Sequence, residues 1–281
     1  MTEALSQREK AALLRQLHQG PKILVLPNAW DAASARLFEE AGFPVIASTS
    51  AGIAFTLGYP DGQIIPRDEM LFMLRRIVAS VHIPVTADIE AGYGANSVKE
   101  VLTTVRGVLT AGAVGINLED MADGGVSLVD VDFQSEKIEA VRSIGEATGV
   151  PLVINARTDA FALTNIPDEQ KLKIAVERGN RYLAAGADCV FVPFVKDIPM
   201  ISVLAREIHG PLNILALPGS PPASDLQALG VARVSVGAGP CRAAMALTRA
   251  VAMDLLELGT YTRFTQNALS YADANLLFSR K

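Results

Sequence analysis

The stretch PVTADIEAGYG (84–94) decides the fold. A proline leads into a short β-favouring run that ends in two carboxylates two residues apart, Asp88 and Glu90, and a glycine-rich loop follows. Side chains alternate across a strand, so Asp88 and Glu90 share a face while Ile89 takes the other. VGINLED (114–120) repeats the plan: Asn117 and Glu119 share a face, and Ile116 and Leu118 pack outward. In PLVINAR (151–157) the shared face carries Asn155 and Arg157. Each polar pair closes the C-terminal end of its strand, immediately before a loop.

Five further runs of the same kind flank these three: ILVL (23–26), PVIAST (44–49), DCVFVP (188–193), LNILAL (212–217) and RVSVG (233–237). Helical periodicity fills the intervals, over Asp31–Ala41, Arg67–Val81, Ser97–Ala111, Gln134–Thr148, Asp168–Ala185 and Asp197–His209. AGFPV, AGAVG and AGADC mark places where a helix ends on glycine and the next buried strand begins. Strand–helix alternation means parallel strands joined by right-handed crossovers. Eight such units predict an α/β fold: a closed (β/α)8 barrel of the TIM type, with residues 1–281 forming one domain behind an N-terminal helix. Two helical segments, Pro240–Leu258 and Tyr261–Phe278, follow the last strand. The second exceeds what a barrel needs and is a candidate oligomerisation element.

Composition narrows the function classes. The 281 residues are 50% hydrophobic and 20% charged, enough for a large core. A net charge of −5 with no local Lys/Arg cluster gives no footprint for nucleic acid. No apolar stretch approaches the roughly 18 residues of a membrane span, and the N-terminus has no signal-peptide apolar region. The two cysteines suggest no disulfide framework, so a reducing, cytoplasmic setting is expected. Cys189 reads as a small core residue, whereas Cys241 follows Gly239-Pro240 at a helix start, where a thiolate could be stabilised. His18, His82 and His209 lie near helix ends, away from the strand C-termini, and read as surface or packing residues.

Active sites of β/α barrels assemble at the C-terminal ends of the strands. Asp88, Glu90 and Glu119 converging there would repel unless protons or a cation intervene, and Arg157 offsets only one charge. A hard divalent cation is the natural remaining partner; an internal salt-bridge network is the alternative. Thr49, Ser50 and Ala51, after the second strand, read either as a cradle of backbone N–H groups for an anion or as an ordinary polar turn. AGYGAN (91–96) is too short to mean phosphate binding.

PNAWD (27–31), STSAGIAFTLGYPDG (48–62), ADIEAGYG (87–94), GINLED (115–120) and NARTDAF (155–161) together resemble the isocitrate lyase/phosphoenolpyruvate mutase superfamily. The resemblance implies an α/β barrel, Mg²⁺ (or Mn²⁺), and a homo-oligomer, dimer or tetramer, that exchanges a C-terminal helix. It also implies small 2-oxo acids as substrates or products. Position by position, it assigns Asp88 to direct contact with Mg²⁺ and Asp61, Glu90 and Glu119 to holding the metal's waters. Arg157 takes the oxo-acid carboxylate, and Thr49, Ser50 and Ala51 receive the carboxylate and oxo oxygens.

The departure from the family pattern lies after the fourth strand. Lyases of the superfamily carry a Lys/Arg-Cys-Gly-His loop there, and mutases a Lys with an Asn-Ser pair. The segment EDMADGGVSLVDVDFQSEK (119–137) has no Cys, His, Arg or Asn, and its only lysine, Lys137, falls at its end. Residues Met121–Asp132 are expected to form a mobile gate. What remains is the electrophilic half of a site, which points to a Mg²⁺-dependent carbon–carbon lyase, decarboxylase or retro-aldolase, working through a metal-stabilised pyruvate-type enolate. A retro-aldolase needs a base to deprotonate a hydroxyl, for which Tyr59, Tyr93 and a metal-bound hydroxide are candidates. A phosphonopyruvate-type P–C mutase or hydrolase, and a non-catalytic 2-oxo-acid binder, are the competing readings. Because the loop lacks a thiol, the double substitution Cys189→Ala, Cys241→Ser is expected to keep most of any C–C lyase turnover; loss of turnover in a folded double variant would reverse this assignment.

Overall fold

The fold is taken from a computed structural model, which describes residues 5–94, 96–122, 125, 127–266 and 268–279. Each of the eight predicted runs forms strand. The segments are β1 (Leu24–Leu26), β2 (Asn28–Ala29), β3 (Ile46–Ser48), β4 (Val85–Asp88) and β5 (Gly115–Glu119). After a short hairpin, β6 (Met121–Ala122) and β7 (Ser127–Leu128), come β8 (Val153–Arg157), β9 (Cys189–Val192), β10 (Leu212–Leu215) and β11 (Arg233–Ser235). The sheet runs β1-β11-β10-β9-β8-β5-β4-β3-β2, all parallel. β1 and β2 are one strand interrupted at Pro27, which has no N–H to give to a ladder. Its first half pairs with β11 and its second with β3, so this broken strand closes the barrel.

The registers set which side chains fill the barrel. Leu24 and Leu26 align with Arg233 and Ser235, and these in turn with Asn213 and Leu215. Asn117 and Glu119 lie opposite Asn155 and Arg157, which lie opposite Cys189 and Phe191. The intervening residues, Ile116, Leu118, Ile154 and Ala156, pack outward in the main hydrophobic cluster, as alternation predicts. The barrel interior is polar at mid-height. Asn155 Nδ2 donates to Asn117 Oδ1 (2.8 Å), and the guanidinium of Arg233, wholly buried, donates to Ser235 Oγ (3.1 Å) and Asn117 Oδ1 (3.4 Å).

The N-terminal helix α1 (Gln7–His18) closes the floor. Ser6 and Glu9 form a reciprocal capping box at its start. Leu14 and Ala11 pack with Leu24, Leu26, Val45, Ala47, Val114 and Val153, near the strand starts. Gly115 makes room for this plug, because a Cβ there would meet Thr86 Oγ1 at 2.7 Å and Leu14 Cδ2 at 2.9 Å. His18 is a packing residue as expected: it is buried beside Arg233, and burial together with that cation pushes its pKa down to about 4.

Outer helices follow the strands: α2 (Ala32–Glu40), α3 (Ser50–Thr56), α4 (Arg67–Ser80), α5 (Val98–Thr110), α6 (Val131–Ala147), α7 (Asp168–Ala184), α8 (Ile198–Glu207) and α9 (Ala223–Ala228). The helix α10 (Gly239–Met253) runs into a π-helical turn, Asp254–Leu258, ended by Gly259 in the left-handed conformation. The expected continuous helix Tyr261–Phe278 is instead α11 (Thr262–Thr265) and α12 (Tyr271–Ser279). Ser270 causes the break: its Oγ accepts from Asp273 N and donates to Asp273 Oδ2, a helix start rather than a helix interior. α12 lies against α2 of the same chain, with Arg36 Nε donating to Leu277 O at 2.9 Å. The helices after the barrel expose many large apolar side chains, Leu256 (80%), Leu258 (71%) and Tyr271 (88%) among them. No helix among the described residues is long and apolar enough to cross a membrane.

Leu14→Ala leaves a cavity between plug and barrel floor and is expected to cost about 2–5 kcal/mol. Urea titration measures it, and a change under 1 kcal/mol would show that α1 does not hold the floor.

Candidate active site

Of the strand-end residues singled out in the sequence, Asp88, Glu90, Asn117, Glu119 and Arg157 line the mouth of the barrel, and Asn155 does not. A cavity of about 650 Å³ is lined by Thr49, Ser50, Ala51, Asp61, Asp88 and Arg157, among others. A second, of about 420 Å³, adjoins it and is lined by Asp61, Glu90, Glu119, Lys137, Arg157 and Asp159. Ser50, Asp61, Arg157 and Phe194 line both, so the two form one continuous mouth.

Arg157 sits at its centre. Its Nη1 pairs with Glu119 Oε2 at 2.9 Å, and its Nε and Nη2 donate to Asp159 Oδ1 at 2.9 and 2.7 Å. Phe191 and Phe194 place their rings 5.8 and 5.9 Å from the guanidinium carbon. Such stacking holds the plane of the fork and shields it from water. Phe194 holds a left-handed backbone (φ 66°) to get there, an uncommon conformation for an aromatic residue. These bonds leave one N–H on each terminal nitrogen uncommitted, and about a fifth of the side chain stays exposed.

Asp88 is fixed on one side only. Ser50 donates to Asp88 Oδ2 through both its backbone N–H (3.0 Å) and its hydroxyl (2.8 Å). The cradle expectation for Ser50 is therefore corrected in part, because this amide is already taken. Thr49 caps α3 instead, its side chain accepting from Gly52 N. Asp88 Oδ1 is buried and has no hydrogen-bond partner.

Glu90 reaches the mouth by a route that strand alternation does not describe. β4 ends at Asp88, and Glu90 turns through a left-handed conformation (φ 51°). Burial, then Asp88 and Asp61, push its pKa up to about 7. Asp61 comes from the loop after α3; burial and the Asp88 charge raise its pKa as well. That loop is tied down by Gln63, whose Oε1 accepts from Tyr93 N at 2.9 Å. Burial also works against ionisation of Glu119, while Arg157 favours it.

Neither Tyr59 nor Tyr93 lines the joined cavities. Tyr59 stands outside the mouth and donates to Glu69 Oε1 at 2.9 Å, a bond that raises its pKa. Tyr93 lies at the edge, 3.4 Å from Glu90 Oε1, and burial and the Glu90 charge hold it protonated. The thiols are equally inert: burial pushes Cys189 up to about 12, and Cys241 is raised by burial and Asp31 rather than activated by its helix start.

The site also contains residues that sequence reasoning missed. Asp159 stands two positions after Arg157, so the same two-residue step that paired Asn155 with Arg157 would have found it. Asp120 is buried behind it. Its Oδ1 accepts from Asp159 N (2.9 Å), and its Oδ2 accepts from the Tyr182 hydroxyl (2.6 Å) and Arg178 (3.1 Å). In the segment expected to gate the mouth, β6 and β7 pair antiparallel, Met121 with Leu128, and Val129 N donates to Asp120 O at 2.8 Å. Asp123, Gly124 and Val126 of that segment, and Ala95 of AGYGAN, lie outside the described residues.

The expected tight carboxylate cluster does not form: among the described residues, no three His, Cys, Asp or Glu side chains are placed to hold an ion together. Glu119 is turned onto Arg157 and Asp88 onto Ser50. The fit to a cation is narrower. Asp88 Oδ1 is a buried carboxylate oxygen without a hydrogen-bond partner, and Asp61 lies near enough to Glu90 to raise its proton affinity. A hard cation satisfies that oxygen directly and the other carboxylates through its waters.

Residues 14–256 match the phosphoenolpyruvate phosphomutase family. Among relatives, 2-methylisocitrate lyase of Halalkalibacterium halodurans is 30% identical over 74% of this chain and 67% of its own. Oxaloacetate decarboxylase of Rhodopseudomonas palustris is 29% identical over 90% of this chain and 86% of its own. A Burkholderia cenocepacia J2315 crystal structure, provisionally classed as a lyase/mutase, is 35% identical and superposes with a TM-score of 0.90 over 97% of each chain. Phosphonopyruvate hydrolase in complex with oxalate and Mg²⁺ is 25% identical, with a TM-score of 0.81 over 97% and 95% of the two chains.

A carboxylate whose folded pKa is raised penalises the folded state once it ionises. For Glu90 that penalty is absent below about pH 4.5 and complete above about pH 7. In metal-free protein at pH 8, Glu90→Gln is expected to stabilise the fold by on the order of 1–3 kcal/mol, and at pH 4.5 to change it little. Urea unfolding at the two pH values tests this, and equal effects at both would mean that Glu90 carries no excess charge repulsion.

Proposed function

The chain belongs to the phosphoenolpyruvate phosphomutase family, within a superfamily of lyases, mutases and hydrolases that act on 2-oxo acids, and from that premise we propose a Mg²⁺-dependent carbon–carbon lyase acting on a small 2-oxo acid, with decarboxylation of a 3-carboxy-2-oxo acid such as oxaloacetate as its reaction. One observation carries the reading. A buried, unpartnered carboxylate oxygen, Asp88 Oδ1, shares its mouth with a guanidinium that is rigidly held yet keeps N–H donors free. That is a site for a chelating 2-oxo acid, with one group for the cation and one for the carboxylate.

Asp88 would hold the ion directly and Asp61, Glu90 and Glu119 its waters. Mg²⁺ there supplies Lewis acidity at the 2-oxo oxygen, where negative charge develops. Arg157 binds the neighbouring carboxylate through its uncommitted N–H groups, and Asp159 and Glu119 keep it from swinging away. Phe191 and Phe194 exclude water from that contact, which strengthens it. Ser50 holds Asp88 in one rotamer, and Thr49 and Ala51 line the wall on the substrate side. Loss of CO₂ leaves the C3–C4 electron pair in a pyruvate-type enolate and asks no protein group for a proton at that step. This favours decarboxylation over a retro-aldol cleavage that relies on Tyr59 or Tyr93 as base, since both phenols are held protonated. The apolar surface of the helices after the barrel supports self-association as part of the same proposal.

A product-resolved assay with Mg²⁺ against oxaloacetate, 2-methylisocitrate and phosphonopyruvate tests the reading, with pyruvate and CO₂ from oxaloacetate expected. Asp88→Ala is expected to abolish Mg²⁺-dependent binding of oxalate, an enolate mimic, in calorimetric titration. Arg157→Lys is expected to lower kcat/KM roughly 10- to 100-fold, the value of a charge-assisted fork that a point charge does not reproduce. Phosphonopyruvate consumed in place of oxaloacetate moves the assignment to P–C chemistry, and tight oxalate binding without turnover of any of the three makes the protein a binder.

A further inference from the structure

Lys137 is the one buried side-chain cation at the mouth, among the described residues, with no hydrogen bond. It lies on α6, directly after the segment that lacks the family's acid/base residues, and its side chain is wholly buried while forming part of the wall of the second cavity. Its Nζ has no hydrogen-bond partner. The nearby acids are already engaged: Glu119 with Arg157, and Asp120 with Tyr182, Arg178 and Asp159 N. Asp120 and Glu119 attract the charge without a hydrogen bond to it, and the Phe133 ring has its centroid 5.0 Å away. A contact of that kind is worth about 0.5–2 kcal/mol, against several for an unpaired buried ion. Asp159 Oδ2, on the same cavity, is also buried without a donor, yet it does not bond to Lys137. Donor and acceptor are thus both left open on one cavity. Purely structural lysines do not stay in that condition, whereas groups waiting for a reacting molecule do.

We propose that Lys137 is the proton donor to C3 of the enolate, doing from the helix what the loop's missing residues do elsewhere in the family. The inference deepens the decarboxylase reading and rests on it for the enolate. After CO₂ leaves, the electron pair at enolate C3 takes a proton from the Lys137 ammonium. A C–H bond forms as an N–H bond breaks, the 2-oxo group is restored, and the neutral amine regains its proton from water. Burial lowers the lysine's proton affinity, although Asp120 and Glu119 pull it back up, so the ammonium is a better acid than an exposed lysine. A role in holding the departing carboxylate fits less well. A cation placed against that group would stabilise it in the ground state and slow its loss.

The reverse of this step is open to assay without decarboxylation. Wild-type protein with Mg²⁺ and pyruvate in D₂O is expected to exchange the methyl protons, followed by proton NMR. Lys137→Met is expected to slow exchange by about 10²- to 10⁴-fold, the usual contribution of a positioned acid or base, while oxalate affinity stays within about threefold. In Lys137→Ala, added methylamine is expected to restore part of the exchange, which no packing role explains; this variant also decides the matter if the methionine variant fails to fold. Exchange that persists in folded Lys137→Met, exchange absent from the wild type, or loss of exchange together with oxalate binding and without amine rescue each overturns the proposal. Oxaloacetate turnover on the same preparations separates the two readings. Exchange that depends on Lys137 without decarboxylation removes the reaction and keeps the donor, whereas decarboxylation indifferent to Lys137 does the opposite.

Discussion

Negative charge crowded around one guanidinium is the constraint from which the rest of the mouth follows. Asp61, Asp88, Glu90, Glu119 and Asp159 all line the joined cavities, and Arg157 pairs with only two of them. Desolvated like charges repel more strongly than the same charges in water, so each carboxylate needs its own local answer. Glu119 and Asp159 find it in Arg157, and Asp120, behind them, in Tyr182, Arg178 and a backbone N–H. Asp88 receives two donors from Ser50, but on one oxygen only. Glu90 and Asp61 receive little, and their raised proton affinities are the sign of it. The unanswered charge is concentrated on the Asp88 side, which is where a cation is of most use.

The scaffold that imposes this crowding is rigid because its interior is bonded through. Beneath the carboxylates lies a layer of Asn117, Asn155, Asn213 and Ser235, with Arg233 buried among them. Asn28 ties the closing strand across the seam: its Nδ2 donates to Ser48 O, and its Oδ1 accepts from Val236 N and Gly237 N. Polar groups in a barrel interior need partners, and here they find them in one another, Asn155 Oδ1 excepted. Bonded in this way, they hold the strand ends beneath the carboxylates. Leu14 and its neighbours seal the opposite end mainly by apolar packing, with Arg15 of the same helix paired to Asp188 at 2.7 Å. Floor and mouth thus solve different problems with different chemistry on the same strands.

Much of this was legible in the sequence, and the failures have physical reasons. The strands announced themselves because Gly and Pro punctuation and apolar runs are local signals. Asp88, Glu119 and Arg157 were legible because they stand on regular strand, where alternation holds. The sequence brings Glu90 to the mouth on a premise that does not hold, since the strand has ended and a left-handed turn carries the side chain there. Asp61 has no local signal at all, and only the family resemblance placed it. Tyr59 was misplaced because a loop residue's direction depends on what it packs against, here Glu69 on α4. The helix expected over Tyr261–Phe278 broke at Ser270, whose capping bond competes with helix continuation at single-residue resolution. Lys137 was assigned correctly to a helix, but its surroundings are a product of tertiary packing.

The same contrast between strand and loop bears on how a chain can depart from its family's loop pattern and keep its site. Groups that stabilise developing charge act through position, and here they stand on strand ends and on side chains held by several bonds each. A proton donor needs only reach and a proton. It can be supplied from a loop, or from the helix that follows, so long as its nitrogen opens on the same cavity. α6 starts at Val131, with Asp130 as its cap, and carries Lys137 to the cavity wall that it shares with Glu119 and Asp159. A lysine held there has no rotamer freedom left to lose on meeting substrate, unlike a residue on a loop that must first close. The cost is a buried ammonium without a partner when the site is empty, and that cost is borne by the fold as a whole.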